Sequence, residues 1–236
     1  MTPTFRSTYF ALLESHVHAV LTGIKERSTH PFAAGQVGIF GVLAQNETFA
    51  DTDYAAIRKH VKQLQADPSA KTIDLVIDSP GGSVLGLPET ADVIHAANKV
   101  KPVRAFITGI AASAAYWLAS QASTITVTPS GEVGSVGVLD LHADISKMLE
   151  DQGVKLTAVT AGPYKTERAP FAPLSDDAKA HMQTGVNAWY ADFLSAVRRG
   201  RGARVRPDSN FGGGRMMGSY DAQVTGLVDF VSGGAL

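Results

Sequence analysis

Residues 73–86 read IDLVIDSPGGSVLG, a β-branched and aliphatic run that ends on Asp78, turns on Pro80 and two glycines, and then resumes as a hydrophobic stretch. The run IDLVID (73–78) has the length and content of a buried strand. The glycine pair has two readings. It is either a plain strand-to-helix turn, or a place where a second backbone or a ligand comes close, because glycine removes the Cβ that would keep it away.

Working outward, short apolar runs alternate with helical periods. VGIFGVLA (37–44) reads as a strand, and residues 53–67 as a helix with Tyr54, Ile57, Val61 and Leu64 on one face. Leu87 to Asn98 is helical, VRAFIT (103–108) a strand, Ser113 to Ser120 a helix start, and TITVT (124–128) and GSVGVLD (134–140) two further strands. This alternation predicts an α/β layer of parallel strands, in which ligands sit beyond the carboxyl ends of strands. DSPGG and TGIAAS both fall at such ends, one β-α-β unit apart. Ser175, ahead of Asp176 and Asp177, caps a long amphipathic helix carrying Trp189, Phe193 and Val197 in a stripe suited to core or subunit packing. The segment Phe5 to Lys25 reads as an amphipathic helix, which makes residues 1–30 an N-terminal helical arm ahead of a single domain at 31–236.

Composition narrows the function classes. The 236 residues, 44% hydrophobic and 18% charged, are enough for a full core. A formal net charge of −1 offers no electrostatic basis for binding nucleic acid or an anionic membrane. The basic cluster RRGRGARVR (198–206) reads as a solvated helix end and loop. With no cysteine, disulfides, thiolate catalysis and Cys-ligated metal are excluded, in keeping with a reducing, cytoplasmic compartment. Ala105 to Gly131 lacks charge, yet Thr108, Ser113, Ser120, Gln121, Ser123, Thr124 and Thr126 break the apolar density of a membrane span. No signal-peptide pattern is legible at the start, where Glu14, His16 and His18 interrupt the apolar run.

A nucleophile on a turn between strand and helix gains an exposed oxygen and nearby unpaired amides. Ser113 has that placement, with Ala111, Ala112, Ala114 and Ala115 leaving room for a polypeptide; a helix N-cap serine is the alternative. None of the seven histidines stands at a convincing strand end, although His142 keeps a histidine-based triad open. Lysine replaces histidine as a base when burial makes it neutral. Lys165, after a strand-like segment and a Gly-Pro pair, differs from the lysines on polar helix faces, with an ordinary loop lysine as the alternative.

DSPGGSV, AASAAYWLASQAS, PSGEVGSVGV, AGPYKTERAPFAPLSDD and GGGRMMGSYDAQVTGLVD stand in this order between Val37 and Asp229. In content, order and spacing the five blocks resemble the signal peptide peptidase A family of serine/lysine peptidases, and within it the phage head-maturation or capsid-scaffold branch. That resemblance implies a Clp protease/crotonase-like spiral of β-β-α units. It also implies Ser113 as nucleophile, Lys165 as general base and Ser135 as the serine that helps hold the lysine amine. Gly81 and Gly82 would lie on the oxyanion-binding segment, with the Ala114 N–H as a second donor. The sequence departs from the usual family pattern in having Ala114 and Ala115 where glycines often follow the nucleophile.

The implied activity is endopeptidase cleavage through an acyl-enzyme, without metal or cofactor. Its partners are a polypeptide substrate, further copies of the chain in a ring with possible shared sites, and capsid or scaffold proteins. The location is the cytoplasm or the interior of a procapsid. Two other readings stay open: a cytoplasmic peptidase that degrades signal peptides, and a crotonase-fold assembly protein without activity.

Overall fold

The computed structural model describes residues 10–11, 34–45 and 50–233. In chain order it contains β1 (Phe10–Ala11), β2 (Gln36–Ala44), β3 (Thr52–Asp53), α1 (Tyr54–Ala66), β4 (Ile73–Ser83), α2 (Leu87–Asn98), β5 (Val103–Ala112), α3 (Ala114–Ala119), β6 (Thr124–Val127), β7 (Glu132–Gly134), α4 (Ser146–Asp151), α5 (Asp176–Arg201), β8 (Met216–Gly218), α6 (Ser219–Val224) and β9 (Phe230–Val231). The sheet runs β3-β2-β4-β5-β6-β9, parallel along this path. Because β2, β4, β5 and β6 are laid down in chain order, right-handed crossovers put α1, α2 and α3 on one face, where α1 packs on α2 and α2 on α3. The α/β class expected from the alternation of elements is the one observed.

Local chemistry sets the element ends. The Asp53 carboxylate accepts the Ala55 N–H at 2.8 Å and starts α1, whose buried face is Tyr54, Ile57 and Val61. The Ser175 hydroxyl accepts the Ala178 N–H at 3.1 Å and starts α5, with Asp176 and Asp177 in the first turn. Strand β4 is buried along most of its length, as a central parallel strand must be.

Strand β5 changes partner along its length, pairing with β6 over Arg104–Ile107 and with β7 over Ile110–Ala112. Strand β7 in turn pairs antiparallel with β8. Irregularities in register fall between Phe40 and Val42 and between Ile77 and Ser79.

Several expectations are corrected. The glycine pair is not the strand-to-helix turn: β4 runs through it to Ser83, and the turn comes at Gly86, whose φ is 86°. The strand expected at 134–140 is confined to Glu132–Gly134, because Ser135 takes φ 51° and leaves the extended line. The strand-like segment ahead of Gly162 and Pro163 forms no strand, having no partner among the described residues to satisfy its backbone.

The basic cluster is a helix end and loop with Arg199, Gly202, Ala203, Arg204 and Arg206 exposed, as expected, but Arg201 departs from that reading. Arg201 is fully buried and donates Nη1 and Nη2 to the two oxygens of Asp229, each at 2.9 Å, and Nε to the Gly226 carbonyl. Burial alone would raise the Asp229 carboxyl. The Arg201 hydrogen bonds and charge, the Ile125 N–H and Arg204 instead hold it below the usual carboxylate range. Arg199 reaches Gln121 and Asp92, and Arg198 the carbonyls of Pro207 and Ser209. In the helix stripe, Phe193 and Val197 are buried, with Phe193 stacked on Trp117 at 4.8 Å, while Trp189 is half-buried.

Of the expected N-terminal helical arm, Phe10–Ala11 are described and are extended, pairing antiparallel with Ser83 and Gly82; the remainder of residues 1–30 lies outside the described residues. Among the described residues no helix is long and apolar enough to cross a membrane.

Candidate active site

Three neighbouring strands end side by side. The register that pairs Ser79 of β4 with Ala111 of β5 brings Gly81 and Ser113 to the next positions along, and the pairing of Ala112 with Gly134 does the same for Ser113 and Ser135. The Ser113 N–H donates to the Gly134 carbonyl at 2.8 Å, and the Ser135 N–H to the Arg215 carbonyl at 2.9 Å.

Ser113 sits between β5 and α3 with φ 54° and ψ −123°, a backbone conformation that costs a side-chain-bearing residue about 1–3 kcal/mol. Ser135 also has positive φ, at 51°. The N-cap alternative for Ser113 fails, since its hydroxyl makes no capping bond to α3. The Ser113 side chain is 0% exposed and its Oγ has no hydrogen-bond partner. An unpaired buried hydroxyl costs roughly 1–3 kcal/mol, so both strain and desolvation are concentrated on this one residue. Ala114 is buried at the first position of α3, where an N–H lacks an intrahelical acceptor.

The glycines differ in role. Gly81 has φ 99°, and its N–H donates to Ser79 Oγ at 3.1 Å, while that hydroxyl donates to the Gly41 carbonyl at 2.6 Å. Gly82 lies flat against β2, where a Cβ would meet the Leu43 carbonyl oxygen at 1.9 Å. Each glycine is thus required by backbone geometry. With the Gly81 amide committed to Ser79, Gly82 becomes the candidate partner for Ala114 as an oxyanion donor.

Lys165 stands apart. It is exposed in the long connection between α4 and α5, its backbone N–H closing a turn onto the Gly162 carbonyl, and no hydrogen bond or ion pair ties its amine to the serine cluster. Residues 151–165 are exposed throughout, and α4 buries none of its side chains. Leu141 ahead of α4, Met148 within it, and Val154, Leu156, Val159 and Tyr164 along this connection are all exposed, Val159 at 96%. An open groove of about 440 Å³ runs between Leu149, Val154, Leu156 and Phe171. His142, the histidine alternative, lies ahead of α4 with Nε2 3.2 Å from the Ala172 carbonyl on the connection. No cluster among the described residues could hold a metal ion.

Sequence reasoning missed Ser79, which orients the Gly81 amide, and the ion pair of Arg168 with Asp140. Ser79 was legible as a short hydroxyl residue two positions before a glycine, the spacing of a side-chain-to-backbone turn. Nothing local pairs Asp140 with a residue 28 positions away.

The model of peptidase family S49 matches residues 95–234, and that of Clp protease residues 41–131. Together they span the strand ends carrying Gly81, Gly82, Ser113 and Ser135 and the connection carrying Lys165. The chain is similar to a protein of Methanocaldococcus jannaschii whose own assignment as a protease is inferred, with 32% identity over 71% of this chain and 54% of that one. It is similar to the capsid assembly protease C of Escherichia phage lambda, with 34% identity over 66% of this chain and 35% of that one. Protease 4 of Salmonella typhi is 29% identical over 80% of this chain and 30% of its own length. The chain thus spans from about a third to about half the length of these relatives. The Clp protease match agrees with the α/β architecture expected from the sequence.

Proposed function

Because this chain belongs to peptidase family S49, we propose that it hydrolyses peptide bonds, with Ser113 as nucleophile and Lys165 as general base. Lys165, neutral, takes the Ser113 proton as Oγ bonds to the peptide carbonyl carbon. The carbonyl oxygen becomes an oxyanion, which the N–H groups of Gly82 and Ala114 receive. The C–N bond then breaks, the lysine proton passes to the departing amine, and water hydrolyses the Ser113 ester to release the acid and restore the hydroxyl. Ser135, beside Ser113, is the hydroxyl available to hold the lysine amine.

The observation that carries this reading is the Ser113 turn itself: a strained backbone and an unpaired buried hydroxyl, set between a glycine strand and the start of a helix. Strain of this kind persists where the surrounding structure enforces it, and it collects at functional sites. The antiparallel pairing of Phe10–Ala11 with Ser83 and Gly82 supports a peptide as substrate, since β4 here accepts an extended strand next to the proposed oxyanion donors.

A general-base lysine must be buried to be neutral. Lys165 is exposed in the single chain, so the reading requires a homo-oligomer in which the apolar 141–164 connection packs on a second copy. Capsid or scaffold polypeptides are the substrates we favour, by analogy with the phage lambda relative. Degradation of signal peptides is the other peptidase role, and cleavage of a scaffold fragment but not of a signal peptide separates the two.

Ser113→Ala and Lys165→Ala are each expected to lose cleavage of a labelled polypeptide. Mixing the two inactive proteins after subunit exchange restores part of the rate if the pair is shared between copies. Full cleavage by Lys165→Ala would remove the lysine from the mechanism, and full-rate cleavage by a sedimenting monomer would remove the oligomer.

A further inference from the structure

Outside the serine turn, one buried ion pair lies on the connection that carries the lysine. Arg168 Nη2 donates to Asp140 Oδ2 at 2.5 Å, with side chains 20% and 1% exposed. The second oxygen, Asp140 Oδ1, is buried and accepts no hydrogen bond, so this carboxylate depends on Arg168. A buried carboxylate without its cation is strongly unfavourable, which makes the pairing hard to give up once formed.

The pair is one of three links between two short segments. The Ile145 N–H donates to the Pro170 carbonyl at 2.7 Å, and His142 Nε2 meets the Ala172 carbonyl at 3.2 Å. Residues 140–145 and 168–172 are therefore stitched together, whereas the backbone bonds at Gly153, Val154 and Lys165 are short local turns. Asp140 follows Ser135 by five residues, and Arg168 follows Lys165 by three.

We infer that the Asp140–Arg168 pair is a positioning clamp, which fixes the root of the Lys165 loop to the segment leaving Ser135 and so sets where the lysine amine is presented. Three residues span at most about 11 Å, whereas from the start of α5 at Asp176 the chain could carry Lys165 over about 35–40 Å. The clamp removes most of that freedom before the site assembles, whether the Ser113 it serves is in the same chain or the next. A displacement of 1 Å in a reacting group can cost about 10²-fold in rate, so an anchor of this kind has a catalytic consequence. That consequence rests on the proposed Ser113 and Lys165 chemistry; the clamp itself does not.

The test uses the full chain in two arms. Hydrogen exchange on the Ser113→Ala protein is compared with and without Asp140→Asn or Arg168→Gln. The Ile145 amide, which donates across to the Pro170 carbonyl, should exchange about tenfold or more faster in both, while β4 and β5 keep their protection. In the Ser113-intact protein the same substitutions should lower kcat about 10²-fold with KM unchanged. The double neutral variant should be no worse than either single one. Arg168→Lys, which keeps the charge but not the fork, should fall between, and it serves where a neutral variant does not fold. Unchanged exchange at Ile145 overturns the clamp. So does an unchanged kcat in a variant that has lost that protection. If the parent protein cleaves nothing, the functional reading falls and the exchange result alone decides the clamp.

Discussion

Ser113 and Lys165 live in opposite surroundings. The serine is sealed at the meeting of β4, β5 and β7, its backbone forced to positive φ and its hydroxyl unpaired. The lysine is exposed on a connection whose apolar side chains, Leu156 and Val159 among them, are exposed with nothing to pack against among the described residues. One half of the proposed dyad is built by the core and the other is delivered by a loop. On the proposed reading, a folded chain holds a nucleophile without its base, and association of copies is the step that would supply one.

The sharpest way to break this contrast is to remove the lysine. Lys165→Ala should cost at least about 10³-fold in kcat yet leave the melting temperature unchanged, because an exposed side chain with no partner among the described residues contributes almost nothing to stability. A parallel loss of stability, seen by calorimetry, would mean the loop is part of the core after all.

Changes on the buried side should do the reverse and act through the fold. Arg201→Ala leaves Asp229 partly buried without its main cation and should destabilise by about 3–5 kcal/mol in denaturant titration. Gly82→Ala drives a Cβ into the Leu43 carbonyl and should cost a comparable amount, with cleavage lost as the strand shifts. A Gly82→Ala protein of parental stability would show that β2 can give way there.

On the loop side, Val159→Asp should dissociate the oligomer without unfolding the chain, as seen by sedimentation, and reduce cleavage with it. An intact oligomer would place the interface elsewhere.

Two smaller effects probe the buried half. At Ser113, glycine tolerates φ 54° and ψ −123° where alanine does not, so Ser113→Gly should be more stable than Ser113→Ala by about 1 kcal/mol, both being inactive. Asp229 gives the pH dependence. Its carboxyl is held below its unfolded value, so the unfolded chain binds the extra proton. Its contribution is present above the unfolded value of about 4 and is lost as pH falls through the folded one. Asp229→Asn should therefore flatten the acid limb of a stability–pH curve, and an unchanged limb would assign acid sensitivity to other carboxylates.

Elements with a repeating local pattern were legible in the sequence: α1 and α2 fall within a residue of their expected bounds, α5 starts at its expected cap Ser175, and β4 begins where expected but runs on through the glycine pair to Ser83. Periodicity and capping are properties of neighbours in the chain, and they survive in almost any tertiary setting. The strand expected ahead of Gly162 and Pro163 failed for the complementary reason, since an extended run needs a partner and no pattern within it names one.

By itself the sequence determined the α/β order of elements, the glycine pair and the small residues around Ser113, because these are set by side-chain periodicity and by the steric demands of single positions. Only the tertiary structure decided which glycine faces β2 and which amide is taken by Ser79. It also showed that Arg201 belongs to the core rather than to solvent, and that Arg168 reaches Asp140. Each of these depends on the distance and burial of groups remote in the chain, and burial changes what a charge or an amide costs by more than any local preference does.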